Sequence, residues 1–432
     1  MTAPKVPNAV NGQSTPAVAP LAQQILDAQA ASFQSRIKNL LGQFADAEGK
    51  AAQAITTALQ ELAQYEKTPD APPASTRVQD ILDGKAQLPT DPQQLHDLWR
   101  TLTSAEKDAL WQHDQYLGNH DGIPAVDRDH YNRLKLQDEY YRAVVHDPSV
   151  DDNGKGDDLA TVLSQVDKPD RYLLQLDTQS GSRTHAIIAS GNPDTAGTVT
   201  TYVPGTGSRP SKIGGDMDRV EAMKSQAQYS GAKNPSVIAW LGYDAPEGLT
   251  NATQQHYADS ATSSLDRFQD GLRVTHDGSP SHNTVIGHSY GSTLVGDAAA
   301  HGHTLNADSV MFVGSPGVTA MNASDLNLTG ISHDDVANHI FASKAANDPI
   351  PFLYPEIGTG ELPGLDDFGP DPADPAQGFG AKVFTSDPGS SHWYELGYGD
   401  HAHSEYWKAH SKSLIAIGDI IAGADNAAMG VK

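Results

Sequence analysis

No cysteine occurs anywhere in this sequence, which excludes disulfides, thiolate metal sites and a cysteine nucleophile. Long apolar runs are also missing: none approaches the roughly 18–20 residues that span a bilayer. The first twenty residues, MTAPKVPNAVNGQSTPAVAP, lack an apolar core behind basic residues, so no Sec signal peptide is expected. Positive charge is scarce, with 29 Lys and Arg against 54 Asp and Glu and a formal net charge of −25. That balance speaks against nucleic acid and anionic membrane surfaces as partners and suits neutral or cationic small molecules. Hydrophobic residues make up only 38% of the chain, so loops, linkers or a polar helical segment are expected beside a packed core. A length of 432 residues points to two domains, or to one large domain with additions.

The chain is organised in blocks. Residues 1–20 are rich in Pro, Ala and Asn and are expected to be disordered. Residues 21–66 read as a long helix or a helical hairpin. Proline is absent there from Leu21 to Tyr65, and apolar residues recur at Phe33, Ile37, Leu40, Leu41 and Phe44, then at Ile55, Leu59 and Leu62. As one helix this block would extend about 65 Å and would need something to pack on, by self-association or against a protein partner. The prolines of Lys67-Thr-Pro-Asp-Ala-Pro-Pro73 mark residues 67–94 as a linker. Residues 95–165 form a helical preface, with a capping box at Thr103-Ser-Ala-Glu106, a turn at Gly118–Pro124 and a helix from about Val126 to Val145. Val150–Asp158 resembles a calcium loop, but Val162 stands where the bidentate acid belongs, so a solvated acidic turn is the reading.

From residue 166 to 425 the texture changes to short strands. Eight are expected: Arg171–Asp177, His185–Ser190, Val199–Val203, Ser236–Leu241, Asn283–Gly287, Ser309–Val313, His339–Ala345 and Ala381–Ser386. Helices are expected near Met217–Gln228, Thr253–Leu272, Ser292–His301 and Ser404–Ile421. An early hairpin followed by strand–helix alternation indicates an α/β fold with a mostly parallel sheet covered on both faces.

The chemistry centres on Thr284-Val-Ile-Gly-His-Ser-Tyr-Gly-Ser-Thr-Leu-Val295, an apolar strand, a tight turn and a helix. Ser289 stands between Gly287 and Gly291, the G-x-S-x-G pattern of a nucleophile elbow. An alcohol needs a base to take its proton, and the base needs a third group to orient it. In chain order serine, acid, histidine, the acid should follow the seventh strand, where Asp348 stands. The histidine should follow the eighth, where His401 and His403 compete and His403 is preferred. His288, inside the elbow, reads as a packing or hydrogen-bonding neighbour lining the site. For the oxyanion hole the candidates are the amides of Tyr290, after the nucleophile, and Thr206, in the loop after the third strand. Gly205 and Gly207 in that loop allow close backbone approach, and no Gly-Lys-Ser/Thr follows to make it a phosphate loop. Tyr243 and Asp244, at the end of the fourth strand, are candidate pocket residues, with a turn around a buried Trp240 as the alternative. Residues 351–380 are expected to form a substrate-covering flap. The pattern calls for neither a metal nor another cofactor.

Taken together, these stretches resemble the α/β-hydrolases of unassigned function found in actinobacteria. The resemblance is carried by Tyr202–Ser208, Trp240–Pro246, the Gly-His-Ser-Tyr-Gly elbow, Asn347-Asp-Pro, Gly378–Ala381 and His403-Ser-Glu-Tyr406, and upstream by Leu117–Pro124, Arg128 and Asn132-Arg133. It implies the α/β-hydrolase fold with Ser289, Asp348 and His403 in the triad positions, and it implies no particular substrate. Some relatives carry long helical N-terminal regions like those of specialised-secretion cargo, although no clear Trp-x-Gly turn occurs here. A cytoplasmic location is expected, with such export as the alternative. The expected activity is cleavage of a small-molecule or lipid ester through an acyl-enzyme, with thioesters and amides as variants. A binding or secretion-associated scaffold is the competing reading.

Overall fold

The computed structural model describes residues 74–146, 154–350, 368–391 and 401–424, together with 26, 27, 29–34, 36–38 and 50. The chain divides into two compact units, Met1–Pro73 and Ala74–Lys432. In the first, the described residues are helical; the expected disordered N-terminus and most of the expected long helix lie outside them. The same holds for the start of the acidic turn and for residues 351–367 of the expected flap.

The second unit is built on one eight-stranded sheet. Its strands are β1 (Arg171–Asp177), β2 (His185–Ser190), β3 (Thr198–Val203), β4 (Pro235–Leu241), β5 (His282–His288), β6 (Ser309–Val313), β7 (Ile340–Ser343) and β8 (Lys382–Val383), in the spatial order 1-2-4-3-5-6-7-8. β2 runs antiparallel to β1 and to β4, and every pairing from β4 to β8 is parallel. Every residue of β4 and β6 is buried, as their unbroken apolar runs require when helices cover both faces. Alternate side chains divide between two cores. Ile238, Trp240 and Val285 pack with Leu265, Phe268 and Leu294, while Ala239, Leu241 and Ile286 pack with Val220, Met223 and Ile417. Each such large aliphatic side chain contributes about 1.5–3 kcal/mol on leaving water.

Nine helices are named here: α1 (Thr76–Leu82), α2 (Pro92–Trp99), α3 (Ser104–His113), α4 (Ala125–Tyr140), α5 (Lys155–Val166), α6 (Ile213–Tyr229), α7 (Thr262–Thr275), α8 (Tyr290–Ala298) and α9 (Lys412–Ile421). Several depart from the sequence reading. Residues read as linker contain α1 and the start of α2. Val78 and Ile81 of α1 are buried, and Pro92 occupies the first position of α2, where a missing N–H does no harm. The helix expected over Thr253–Leu272 is instead a short turn at His256–Asp259 followed by α7, with a further short turn, Gly248–Asn251, ahead of the expected range, and the Gln254 carbonyl accepts the Tyr290 hydroxyl instead of a helical N–H. The helix expected over Ser404–Ile421 is a 3₁₀ turn, Ala402–Trp407, followed by α9. His410 sits at φ 65° between them, and the Ser411 hydroxyl caps α9 by accepting Leu414 N–H at 3.1 Å.

The preface has a small core of its own, in which Leu95, Trp99, Leu110, Leu117 and Tyr131 join Val78 and Ile81. It also closes the outer edge of β1. Asn119 Oδ1 accepts Leu176 N–H and its Nδ2 donates to the Leu176 carbonyl, both at 2.9 Å. Arg128 Nε donates to Leu174 O at 2.8 Å, Asn132 Nδ2 to Leu173 O at 3.1 Å and Arg133 Nη2 to Arg171 O at 2.9 Å. Asp129 Oδ1 accepts Leu173 N–H at 2.7 Å. Side chains thus replace the neighbouring strand that an edge lacks.

Candidate active site

Where β5 meets α8, Ser289 adopts φ 55°, ψ −132°, a conformation that costs a non-glycine residue about 1–3 kcal/mol. Neighbouring backbone holds it there: Ser289 N–H donates to Val313 O of β6 at 3.0 Å, and Ser292 N–H donates to Ser289 O at 2.9 Å. A Cβ at Gly287 would lie 2.4 Å from Ser292 Cα, and one at Gly291 would lie 2.2 Å from Val203 O. Neither position accepts a side chain, which accounts for both glycines of the pattern.

Asp348 is wholly buried beyond the end of β7, and a carboxylate in that setting needs donors. Its Oδ1 accepts Ile350 N–H at 2.9 Å. Its Oδ2 faces His403 Nδ1 at 2.8 Å and accepts the Tyr406 hydroxyl at 2.6 Å. A carboxylate beside Nδ1 fixes the proton on that nitrogen and leaves the lone pair on Nε2. Gly314, directly after Val313, marks where this pair approaches the elbow: a Cβ there would lie 2.8 Å from Asp348 Oδ2 and 3.1 Å from His403 Nδ1. The nucleophile candidate and the acid–histidine pair therefore converge on the Val313–Gly314 corner. His401 is exposed at the start of the same 3₁₀ turn, and His403 is the histidine that meets Asp348.

His288 lies buried beneath. Its ring stacks on that of His403 with centroids 4.6 Å apart, and its Nε2 donates to the His403 carbonyl at 2.8 Å. Burial, reinforced by the charges of His403 and Arg219, holds its pKa well below the usual 6.5, so it is a neutral imidazole. Tyr202 and Arg219 extend this cluster, with Arg219 Nη1 donating to Tyr202 Oη at 2.7 Å.

The loop after β3 lies on the elbow. A Cβ at Gly205 would stand 2.7 Å from Ser289 Cβ and 2.8 Å from Tyr290 N. Gly207 is left-handed at φ 74° and donates its N–H to Pro246 O at 2.9 Å, with the partly exposed Thr206 between them. Tyr243 is buried and its hydroxyl donates to Pro204 O at 2.7 Å, so it props this loop from behind. Asp244 departs from the expected pocket lining. Its carboxylate accepts Ser182 N–H at 2.7 Å and faces His185 Nε2 at 3.0 Å, because β4 pairs with antiparallel β2 and ends beside the β1–β2 hairpin. Burial opposes ionisation of Asp244, but the bonds from His185 and Ser182 outweigh it and hold the group well below the carboxylate range. The Tyr290 ring is flanked by Phe368 and Tyr257, at centroid distances of 5.8 and 6.5 Å.

The residue that sequence reading noted within His403-Ser-Glu-Tyr406 but gave no role is Tyr406. Its signal was its position three residues after His403, which on a 3₁₀ turn sets both side chains on one face. Among the described residues no group of three or more His, Asp or Glu is placed to hold a metal ion, and no helix is long and apolar enough to cross a membrane.

A mostly parallel eight-stranded sheet, a strained serine after the fifth strand and an acid–histidine pair beside it define the α/β-hydrolase class. Comparison with known proteins agrees. A family model described as "Alpha/beta hydrolase" matches residues 180–359, a span that contains Ser289 and Asp348 and ends before His403. The uncharacterized protein Rv2079 of Mycobacterium tuberculosis is 32% identical over 406 residues, covering 82% of this chain and 59% of that protein. The uncharacterized protein Rv0963c of the same organism is 33% identical over 199 residues, covering 44% of this chain and 71% of that protein. The chain thus spans 59% of the length of the first of these relatives and belongs to the α/β-hydrolase family. Among solved structures, the esterase LipW from Mycobacterium marinum is similar over 69% of this chain and 90% of its own, at 11% identity and a TM-score of 0.33; so low a score carries no argument.

Proposed function

We propose that this protein is a serine hydrolase that cleaves carboxylic esters through a covalent acyl-enzyme. The observation that carries the reading is the 2.8 Å approach of His403 Nδ1 to the fully buried Asp348 Oδ2, next to a serine held in a strained turn. In this scheme Ser289 Oγ attacks the ester carbonyl as His403 Nε2 takes its proton. The imidazolium that forms is stabilised and oriented by Asp348, then returns the proton to the leaving alcohol. The amides of Tyr290 and Thr206 hold the oxyanion, and water repeats the cycle to release the acid. The acidic charge of the whole chain favours a neutral small-molecule or lipid ester over an anionic one.

The test is intact-protein mass after exposure to a fluorophosphonate, for wild type and Ser289→Ala, with turnover of p-nitrophenyl acetate, butyrate and octanoate. One adduct and ester cleavage, both lost in Ser289→Ala, are expected. A folded wild-type protein with neither adduct nor turnover would sink the reading.

A further inference from the structure

Asp348 Oδ2 receives two donors from one turn of chain, His403 Nδ1–H and the Tyr406 hydroxyl. Resting on the triad reading above, we propose that Tyr406 is a positioning residue for it: the phenol fixes the acid in place and sets how much of its negative charge reaches His403.

The geometry makes the phenol a two-sided clamp. Tyr406 Oη accepts Ala345 N–H at 2.9 Å, which turns its own proton toward Asp348, where it donates at 2.6 Å. It therefore ties the backbone of the acid loop and the acid itself to the turn that carries the histidine. Burial first, and the charge of Asp348 second, keep the phenol protonated far above its usual range, so it remains a donor wherever the triad would work. A hydrogen bond to a charged acceptor is among the stronger kinds, and here it draws charge from the same oxygen that faces the imidazole. Removing it leaves that charge for His403 alone, which favours the imidazolium and raises the pH at which the base becomes competent.

The ring also packs against Trp407 and His288, at centroid distances of 5.8 and 6.2 Å, and Tyr406→Phe keeps that packing. Among the described residues, the other ionisable groups facing the cluster are His288 from β5, Arg219 from α6 beneath it, and Asp371, which is paired with Lys344 at 2.7 Å. None of them changes in the variant.

The experiment measures fluorophosphonate labelling rate and p-nitrophenyl butyrate kcat/KM against pH in wild type and Tyr406→Phe. It adds the low-field proton resonance of His403 Nδ1–H, assigned by its loss in His403→Gln. In Tyr406→Phe the acid limb is expected to move to higher pH by about half a unit to one unit. Maximal kcat/KM should fall roughly tenfold through kcat, with KM within about twofold, and the low-field resonance should shift. An unchanged acid limb and an unmoved resonance in folded Tyr406→Phe would overturn the proposal and leave Tyr406 as packing alone. Should Tyr406→Phe not fold, 3-fluorotyrosine at position 406 keeps both bonds and strengthens the donor; the acid limb should then move to lower pH, and no movement overturns the proposal. If wild type shows no Ser289-dependent chemistry, the hydrolase reading fails, while the resonance still judges Tyr406.

Discussion

One side chain and one missing side chain give residue-scale consequences. Asp348→Asn keeps the shape but loses the charge that favours the imidazolium and fixes its tautomer. On the proposed mechanism kcat should fall by roughly 10³–10⁴ with the folded state intact, as read by steady-state kinetics beside circular dichroism. Gly205→Ala drives a methyl group to within 2.7 Å of Ser289 Cβ and 2.8 Å of Tyr290 N, pushing the loop off the elbow. A fall in kcat of about a hundredfold or more is expected, with no comparable loss in thermal stability. The strained turn at Ser289 and the meeting of Asp348 with His403 were legible because such residues sit at strand ends in a set order, and sequence preserves order. Tyr406 and the outward use of Asp244 were not, because each depends on what a neighbouring strand or turn brings to it. A polar residue beside a motif looks the same in sequence whether it faces the site or ties down a hairpin.

At the scale of elements, Asn132 is the clearest test of the preface. Its amide donates to Gly118 O at 3.0 Å and Leu173 O at 3.1 Å from a fully buried position. Asn132→Leu would strip Leu173 O of its side-chain donor and leave Gly118 O with Arg128 Nε alone, at 3.2 Å, and should cost about 1–3 kcal/mol in urea unfolding. Glu106 gives a pH test at the other end of the preface. It accepts Thr103 N–H at 2.9 Å and Ser75 N–H at 2.8 Å, stapling α3 to the start of α1, and these bonds lower its pKa from 4.5 to about 2. A depressed folded pKa means a contribution that is complete above 4.5 and lost as pH falls toward 2. The stability difference between wild type and Glu106→Gln should therefore shrink through that window and stay constant above it, as followed by denaturant titration at fixed pH values. Strands such as β4 and β6 were legible because strands buried on both faces are continuous apolar runs. The breaks at Gln254–Ala261 and Lys408–Ser411 were not, since the first follows from a tyrosine hydroxyl arriving from α8. The second did carry a signal in Ser411, a capping residue just ahead of the Leu414–Ile417–Ile421 stripe.

For the whole molecule, Met1–Pro73 and Ala74–Lys432 form separate compact units. A chain beginning at Ala74 should keep its melting temperature within a few degrees of the full protein, whereas one beginning at Ala125, without α1 to α3 and Asn119, should not accumulate as folded material; expression and calorimetry of both decide the matter. The side chains along β1 carry one last implication. A β-sheet extends between molecules much as a polymer grows, by adding monomers at reactive ends, and Asn119, Arg128, Asp129, Asn132 and Arg133 act on one of those ends as a chain terminator. Among the described residues this leaves β8 as the sheet's open outer edge, so two copies meeting there edge to edge would use up the edge each presents, and growth through this sheet would stop at a pair.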